Sequence, residues 1–239
     1  MALSYVRRRP TAGGYARGEE TRLRIIESAV ELFGGQGFER TSTREIAALA
    51  GVNPPALQYY FDSKEGLYVA CAEHITARAW SILEPAVRDV QRRLAGEIDL
   101  EGLIDCVCTI QACAAEFLLR SAEVRSWSLF IGREEGACGA GLAGQVLEKG
   151  MHNEIYATIA DAIGRIIGKP ADDPETRVRM VALNGQVSIF QASRDKALRA
   201  LGWQDMDAEG VALIKRVARS QTEAALRAAA SPAFGAKTK

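Results

Sequence analysis

Residues 42–61 have the sequence STREIAALAGVNPPALQYYF, which predicts two short helices joined by a tight turn. Ser42 and Glu45 have the spacing of a capping box, in which each side chain bonds the backbone N–H of the other residue at a helix start. Gly51 suits the positive φ with which a chain often leaves a helix. Asn53 can cap the second helix, and the two prolines after it fit a first turn whose N–H groups lack intrahelical partners.

The second helix of this stretch divides its side chains between two faces. Leu57 and Phe61 are separated by one helical turn and therefore share an inward face. Gln58 and Tyr59 face outward, with Tyr60 more to the side. A short helix with such an outward face, set by a glycine turn against a capped helix, is what a helix-turn-helix needs to enter a major groove.

From about residue 21 to residue 68, the chain resembles the DNA-binding domain of the TetR family of bacterial regulators. The segments that carry the resemblance are AVELFGGQGFERTSTREIAALAGV and, after it, ALQYYFDSKEGLY. Apolar, glycine, aromatic and Ser-Lys-Glu positions all have the spacing of the family. The resemblance implies a three-helix domain in residues 19–65 that binds double-stranded operator DNA. The alternative is a helical hairpin without a role in DNA binding.

The resemblance also assigns individual residues to DNA contacts. Positions that usually contact phosphates, and so position the protein without reading sequence, correspond to Ser42, Thr43, Tyr59, Tyr60 and Lys64. Arg44 and Gln58 are the candidates for base edges, because arginine pairs well with guanine and glutamine with adenine. Beside Asn53, Pro54 and Pro55 stand where family members often carry lysine and glycine. DNA recognition is therefore expected to depend more on Gln58, the tyrosines and DNA shape.

The composition requires any DNA-binding surface to be local. Of the 239 residues, 48% are hydrophobic and 25% are charged, and the formal net charge is zero, so bulk charge does not attract polyanions. Arginines but no acidic residue precede Glu19, near several glycines and a proline. This predicts a flexible basic arm in residues 1–18 that follows phosphates or a minor groove, with a solvated tail as the alternative.

The cysteines and the hydropathy of the chain favour a cytoplasmic protein. No apolar run follows the N-terminal arginines, and we expect no segment to be long and apolar enough to span a membrane. The cysteines lack metal-finger spacing, so they are interpreted as buried thiols, with a metal or redox sensor as the alternative. They are Cys71, Cys106, Cys108, Cys113 and Cys138.

The remainder of the chain predicts a larger all-α domain in residues 66–230, followed by a tail in residues 231–239. Apolar periodicity predicts a first helix from about Glu19 to Gly34 and a long fourth helix capped by Ser63, with Pro85 as a kink or break. Further helices are predicted over residues 100–119, 121–131, 145–167, 173–201 and, from Asp205 or Asp207, to about residue 230. The predicted fold is therefore an N-terminal helix-turn-helix domain followed by a helical ligand-binding and dimerisation domain.

A glycine-rich segment, residues 132–144, raises the alternative of a nucleotide-dependent enzyme. Gly139, Gly141 and Gly144 have the spacing of a dinucleotide-binding loop, but that motif needs a preceding strand and a βαβ unit. The pattern of the chain predicts neither, so a mobile connection between helices is favoured. The sequence also lacks a Ser-His-Asp order, paired metal ligands and a Walker sequence, so we expect no catalytic residue, metal or cofactor.

The last two long helices are predicted to pair two copies of the chain. Small residues on the first allow close approach, and a heptad-like stripe on the second supplies a partner. Family dimers pair through these helices, so that two recognition helices lie about 34 Å apart, one turn of DNA. The expected contacts are Val181, Gly185, Ser188, Ala192, Val211, Ile214, Ala218 and Ala225. The alternative is that these faces complete the core of one chain.

The family resemblance further implies a small-molecule effector. Residues 178–203 resemble the C-terminal domain of the CecR-like subgroup, and family effectors bind among the middle helices. An effector that has different affinities for two arrangements of the fourth helix favours one of them. It thereby changes the distance between the two DNA-binding domains. Candidate ligand contacts are Trp80, Phe117, Trp127, Phe130, Met151, His152, Tyr156, Gln186 and Phe190. The sequence thus predicts a ligand-responsive, homodimeric transcriptional repressor; a redox signal or a partner protein in place of the ligand is the alternative.

Overall fold

A computed structural model of the chain describes residues 12–120, 124, 126, 127, 129, 130, 146 and 153–232. In this part of the chain every regular element is an α-helix, which confirms the predicted all-α class. The N-terminal domain consists of α1 (Ala12–Gln36), α2 (Thr43–Leu49) and α3 (Pro54–Phe61). The second domain contains α4 (Lys64–Leu94), α5 (Leu100–Arg120), α6 (Asn153–Ile167), α7 (Pro174–Ala192), α8 (Arg194–Leu201) and α9 (Ala208–Ala229).

The first helix differs from the prediction at both ends. It begins at Ala12, so residues 12–18 extend the helix instead of belonging to a flexible arm, and residues 1–11 lie outside the described residues. It also continues through Gly34 and ends at Gln36. Gly37, with φ 86°, then turns the chain in the left-handed region that glycine adopts without strain.

The fourth helix passes through Pro85 without a break. Because proline has no N–H, the carbonyl of Ser81 lacks its usual backbone donor. The neighbouring carbonyl of Ile82 accepts a weak hydrogen bond from the Cys113 thiol of α5, with an S···O distance of 3.9 Å. Beyond the proline, the Gln91 amide donates to the Thr158 hydroxyl at 3.1 Å, so this end of α4 is bonded to α6.

Two predicted C-terminal helices differ in extent from the structure. The single helix expected over residues 173–201 is divided at Ser193, whose φ of −122° and ψ of 41° interrupt the helical path between α7 and α8. The predicted helix over 145–167 corresponds to α6, with Val146 also helical and residues 145 and 147–152 outside the described part. Between 121 and 131, the described residues 124, 126, 127, 129 and 130 are helical, as predicted.

The central helix of the second domain is α5, which packs against α4, α6, α7 and α9. On its inward face, Leu103, Ile104 and Ile110 are at most 2% exposed. Within the described ranges, α5 is long and apolar enough to cross a membrane, which the sequence analysis did not anticipate. Because 56% of its apolar window is buried against the rest of the fold, α5 has the pattern of a core helix.

Ion pairs join α5 to its neighbours. Asp105 accepts hydrogen bonds from Arg219 of α9 at 2.7 Å and from Arg93 of α4 at 2.9 Å. The hydrogen bond from Arg219, followed by that from Arg93, lowers the pKa of Asp105 although partial burial opposes this shift. Two further pairs between α5 and α9 join Glu101 to Arg227 and Glu116 to Lys215, each at 2.8 Å. These pairs fix the register of the two helices.

Replacing Asp105 with asparagine is expected to lower the free energy of unfolding at neutral pH by about 1 kcal/mol or less, because solvent screens these half-exposed charges. A lowered carboxyl pKa contributes stability above the ordinary aspartate value of about 4 and loses it as the pH falls through the folded-state pKa. The difference between wild type and Asp105→Asn in urea denaturation should therefore shrink between neutral pH and about pH 3.5. Asp89→Asn, which removes a pair within α4 alone, is the control. An equal Asp105→Asn effect at both pH values would contradict the assignment.

Candidate nucleic-acid interface

The turn between α2 and α3 is held by the caps that the sequence predicts. The Ser42 hydroxyl accepts from the Glu45 N–H at 3.2 Å, and the Ser42 N–H donates to the Glu45 carboxylate at 2.8 Å. Hydrogen bonds from the Ser42 side chain and backbone lower the pKa of Glu45. Gly51 has φ 65°, and the Asn53 side chain accepts from the Ala56 N–H at 3.2 Å. The relative orientation of α2 and α3 is therefore preformed.

The inward faces of both helices are buried and the outward face is free of packing. Ile46, Leu57 and Phe61 are at most 8% exposed, whereas Tyr59 is 82% exposed. Such an exposed tyrosine beside a buried face indicates a contact surface, since aromatic side chains are otherwise mostly covered. Every predicted DNA-contact residue is exposed or half-buried in the structure, namely Ser42, Thr43, Arg44, Asn53, Pro54, Pro55, Gln58, Tyr59, Tyr60 and Lys64.

Aromatic contacts position the residues at the end of this surface. The rings of Tyr59 and Tyr60 pack edge to face, with centroids 5.1 Å apart. Phe38 is partly buried against the hydrophobic core, and the Lys64 ammonium lies 4.3 Å from the centroid of its ring. These contacts reduce the number of conformations that the side chains must lose on binding a phosphate.

Gln58 makes a hydrogen bond that the sequence analysis does not predict. Its side-chain amide donates to the carbonyl of Asp62 at 2.5 Å, just beyond the end of α3. Asp62 has φ 58°, a positive value that is uncommon for a residue other than glycine. The hydrogen bond therefore stabilises this helix end and holds the Gln58 side chain along α3.

The longer α1 extends this surface. A Cβ at Gly18 would lie 3.7 Å from the hydroxyl of Tyr60, so the N-terminal turns of α1 pass the end of α3. Arg17, the residue before it, is exposed. Arg17 therefore adds a positive charge near this surface from within α1.

Two of the predicted ligand residues, Trp127 and Phe117, lie together with His74 in the second domain, and we call these three residues the Trp127 cluster. Trp127 is 6% exposed, and its ring lies 5.9 Å from that of Phe117 and 6.4 Å from that of His74, a residue not predicted. Phe130, one helical turn on, instead contacts Tyr68 in α4, with centroids 4.7 Å apart. Trp80 and Tyr156 are half-buried against the same core.

The other predicted ligand residues do not join this cluster. Phe190 packs in a separate apolar cluster with residues of α9, and Gln186 lies 3.4 Å from the Thr222 hydroxyl of α9. Met151 and His152 lie outside the described residues. Sequence reasoning missed Thr76, whose buried hydroxyl has no hydrogen-bond partner among the residues described. The sequence signal for Thr76 was a hydroxyl on an apolar helix face, one helical turn before Trp80.

The two helices of the predicted dimer interface differ in how far their predicted contact residues are exposed. On α7, Val181 is 63% exposed, and Gly185, Ser188 and Ala192 also lie at the surface, so this face stays a candidate interface. On α9, only Ala225 of the predicted residues is exposed. Val211, Ile214 and Ala218 are at most 5% exposed within one chain and pack against α5, α7 or the segment after α8, so placing them at the interface was wrong. The large apolar residues that α9 exposes are Leu213 and Val217.

The described cysteines are poor candidates for a redox signal. Burial raises the pKa of Cys106 and Cys113, and raises that of Cys108 to about 11. Burial also raises the pKa of Cys71. A thiol that remains protonated at neutral pH is a weak nucleophile. Cys138 and the Gly139, Gly141, Gly144 motif lie outside the described residues.

Two other kinds of site, a cavity and a metal centre, can be looked for in the described part of the chain. A cavity of about 260 Å³ between α5, α7 and α9 is lined mainly by small side chains and contains none of the predicted ligand residues. Among the residues described, no group of three or more His, Cys, Asp or Glu side chains could hold a metal ion. This cavity and the aromatic Trp127 cluster are therefore separate parts of the second domain.

Two segments of the chain match families of known proteins. Residues 25–71 match the family described as bacterial regulatory proteins, tetR family, and residues 109–229 match the C-terminal domain of the HTH-type transcriptional dual regulator CecR. The CecR protein of Shigella flexneri is 30% identical over 206 residues, which cover 84% of this chain and 88% of the relative.

Solved structures share the fold at low sequence identity. The fatty acid degradation regulator FadR from Bacillus halodurans has a TM-score of 0.56 and 16% identity, covering 87% of this chain and 96% of its own. AibR in complex with isovaleryl coenzyme A and operator DNA has a TM-score of 0.57 and 16% identity, with coverages of 84% and 97%. At such identities the likeness shows the fold alone.

Proposed function

The chain belongs to the TetR family of bacterial regulatory proteins, with a C-terminal domain of the CecR type, and we propose that it is a ligand-responsive repressor that binds a palindromic operator as a homodimer. The observation that carries this proposal is the preformed α2–α3 unit. Its caps fix the helix orientation while Arg44 and Tyr59 remain exposed. A preformed surface of this kind binds without first paying for its own ordering.

The DNA contacts divide into two classes in this proposal. Ser42, Thr43, Tyr59, Tyr60 and Lys64 position the domain on phosphates, with Arg17 as an additional contact from α1. Arg44 and Gln58 contact base edges. Pro54 and Pro55 begin α3 without backbone donors, so phosphate contacts by the N–H groups at this helix start are reduced. Affinity then depends on side chains more than on the helix terminus.

Replacing Gln58 with alanine is expected to relax the preference at one base pair in each half-site and to leave non-specific binding within about twofold. A lost bidentate contact costs about 1–3 kcal/mol of discrimination, whereas phosphate contacts are unchanged. Sequence preferences of wild type and variant, measured by competition among operators with single substitutions, check this. Gln58→Glu is the matched variant, since glutamate keeps the length of the side chain but lacks its N–H donor. Uniform weakening on every duplex would contradict base contact by Gln58.

The homodimer is proposed to form through the exposed apolar faces of α7 and α9. These faces carry Val178, Val181, Ile189, Leu213 and Val217, which are between 38% and 67% exposed in the single chain. Gly185 lies on the α7 face, where a Cβ would meet no atom within 4 Å, so a second helix can approach closely. Two-fold pairing of α7 and α9 covers these side chains and places two recognition helices on one face of DNA.

The effector is proposed to bind at the Trp127 cluster. Aromatic rings supply apolar contact area, and the Thr76 hydroxyl of α4, which has no partner among the described residues, is a candidate to orient a polar group of the ligand. The fold of AibR holds isovaleryl coenzyme A and operator DNA, so this architecture accommodates both partners. We expect the protein to act in the cytoplasm, where operator DNA is accessible.

Repression, as opposed to activation, is tested by transcription in vitro. The duplex that the protein binds most tightly is placed across the start site of a promoter, and transcript is measured as the protein is added. A repressor lowers transcript in proportion to occupancy, and the Arg44→Glu variant leaves it unchanged at the same concentration. A second template carries the operator upstream of the promoter. Repression would be contradicted if the protein raised transcript from this second template and did not lower transcript from the first.

A further inference from the structure

Among the described residues, the first turn of α3, residues 54–56, has no free backbone N–H group. Pro54 and Pro55 occupy its first two positions and have no N–H at all. The N–H of Ala56 donates to the side-chain oxygen of Asn53 at 3.2 Å and to the Asn53 carbonyl at 3.0 Å. This helix start therefore cannot bind a phosphate through its main chain, as helix N-termini commonly do.

The same turn presents carbon at the surface. Pro54 and Pro55 are both exposed, and their side chains contain no polar atom. Pro55 lies three residues before Gln58 and four before Tyr59, so the three side chains share the outward face of α3. This is the face that carries the proposed base contact of Gln58.

The chemistry of the major groove determines what an apolar side chain can recognise there. In a helix-turn-helix, the N-terminal residues of the second helix contact base edges. Polar base edges need a donor or an acceptor, and the Pro55 side chain has neither. The C5-methyl group of thymine is the apolar feature of the major groove, and apolar side chains contact it. Pro55 therefore fits a T·A pair, whereas it leaves the polar edges of a G·C pair without partners.

We propose that Pro55 is a specificity-determining residue that recognises a thymine methyl group in each half-site of the operator. This inference rests on the proposed function and deepens it, because it names a base contact made through carbon and not through a hydrogen bond. The recognised thymine lies close to the base pair that Gln58 contacts, since the two residues are one helical turn apart. A 5-methylcytosine at that position carries the same methyl group, so cytosine methylation there strengthens binding.

The test removes single methyl groups from the DNA. Each thymine of the duplex selected by the full-length wild-type protein is replaced in turn by uracil, which lacks only the C5-methyl group. Fluorescence anisotropy then measures the affinity for each duplex. At one position in each half-site, uracil is expected to lower affinity about fourfold, and in both half-sites together about fifteenfold, as for the exposure of one buried methyl group per subunit.

Protein variants identify the residue that contacts the methyl group. Pro55→Ser removes the ring at an exposed position and leaves the core of the domain unchanged, which the midpoint of thermal unfolding checks. Tyr59→Ser is the matched control, because it removes the other large exposed side chain of the same face, which is 82% exposed. The uracil effect is expected to be lost in Pro55→Ser and retained in Tyr59→Ser.

A second arm adds a methyl group instead of removing one. The T·A pair at which uracil weakens binding is replaced by C·G, with either cytosine or 5-methylcytosine. Wild-type protein should bind the duplex with 5-methylcytosine more tightly than the duplex with cytosine. Pro55→Ser should bind the two duplexes equally, since it lacks the apolar ring.

The outcomes separate this inference from the proposed function. A folded wild-type protein that prefers no duplex would overturn the proposed function, and the methyl contact with it. Sequence-specific binding that tolerates uracil at every thymine would overturn the methyl contact alone. A uracil effect that persists in Pro55→Ser, or that Tyr59→Ser abolishes, would assign the methyl group to another residue and overturn the role of Pro55.

Discussion

Replacing Arg44 with glutamate is expected to lower operator affinity by at least ~100-fold without unfolding the protein. Arg44 is exposed, and α2 is held by the Ser42–Glu45 caps, so the change leaves the fold intact. The variant loses a base contact worth about 1–3 kcal/mol in each subunit and places a carboxylate beside phosphates. Fluorescence anisotropy with labelled operator at physiological salt measures the loss.

Arg199→Glu is the matched control for this experiment. Arg199 is exposed on α8, and its replacement changes the net charge by the same amount as Arg44→Glu. Only the local position of the charge differs between the variants, so bulk repulsion affects both equally. An equal loss of affinity in the two variants would show that the effect is bulk charge and would contradict a specific contact by Arg44.

Replacing Val217 with aspartate is expected to raise the dimer dissociation constant by at least ~100-fold. Val217 is 46% exposed on α9, and a two-fold interface would bury two copies of the new carboxylate, which costs several kcal/mol when unpaired. Analytical ultracentrifugation should find the 25.8 kDa chain as a monomer in the variant and at twice that mass in wild type. Operator affinity should fall when the dimer is lost, because a monomer has one DNA-binding domain and contacts only one half-site.

The control is Ala157→Asp, which adds a carboxylate to an exposed position of α6 that is not part of the proposed α7 and α9 faces. This variant should remain dimeric and retain operator affinity. A Val217→Asp protein that sediments as wild type would show that the exposed faces of α7 and α9 do not pair two copies. The interface would then have to lie elsewhere on the surface.

Local signals predicted the DNA-binding unit almost completely. The capping box at Ser42, the turn at Gly51 and the cap at Asn53 depend on residues at most a few positions apart, and the structure contains all three. The inward positions of Leu57 and Phe61 follow from helical spacing in the same way. The bond from Gln58 to Asp62 did not follow, because it depends on an uncommon positive φ at a residue other than glycine.

Contacts between distant segments could not be predicted in this way. The stripe of Val211, Ile214 and Ala218 correctly indicated a buried face of α9, but periodicity does not say whether the burying neighbour belongs to the same chain. Glycine lowers helix propensity, so Gly34 was interpreted as a helix end. Its actual environment, the main chain near Ser126, is set by a segment far along the chain.

Selection of bound duplexes from a random DNA pool, with purified protein at physiological salt, tests the central claim most directly. The account predicts enrichment of an inverted repeat whose half-site centres lie about one turn of DNA apart, bound by two chains. Protein that is folded and dimeric yet enriches no sequence would contradict the assignment of α2 and α3 as a sequence-specific DNA-binding surface.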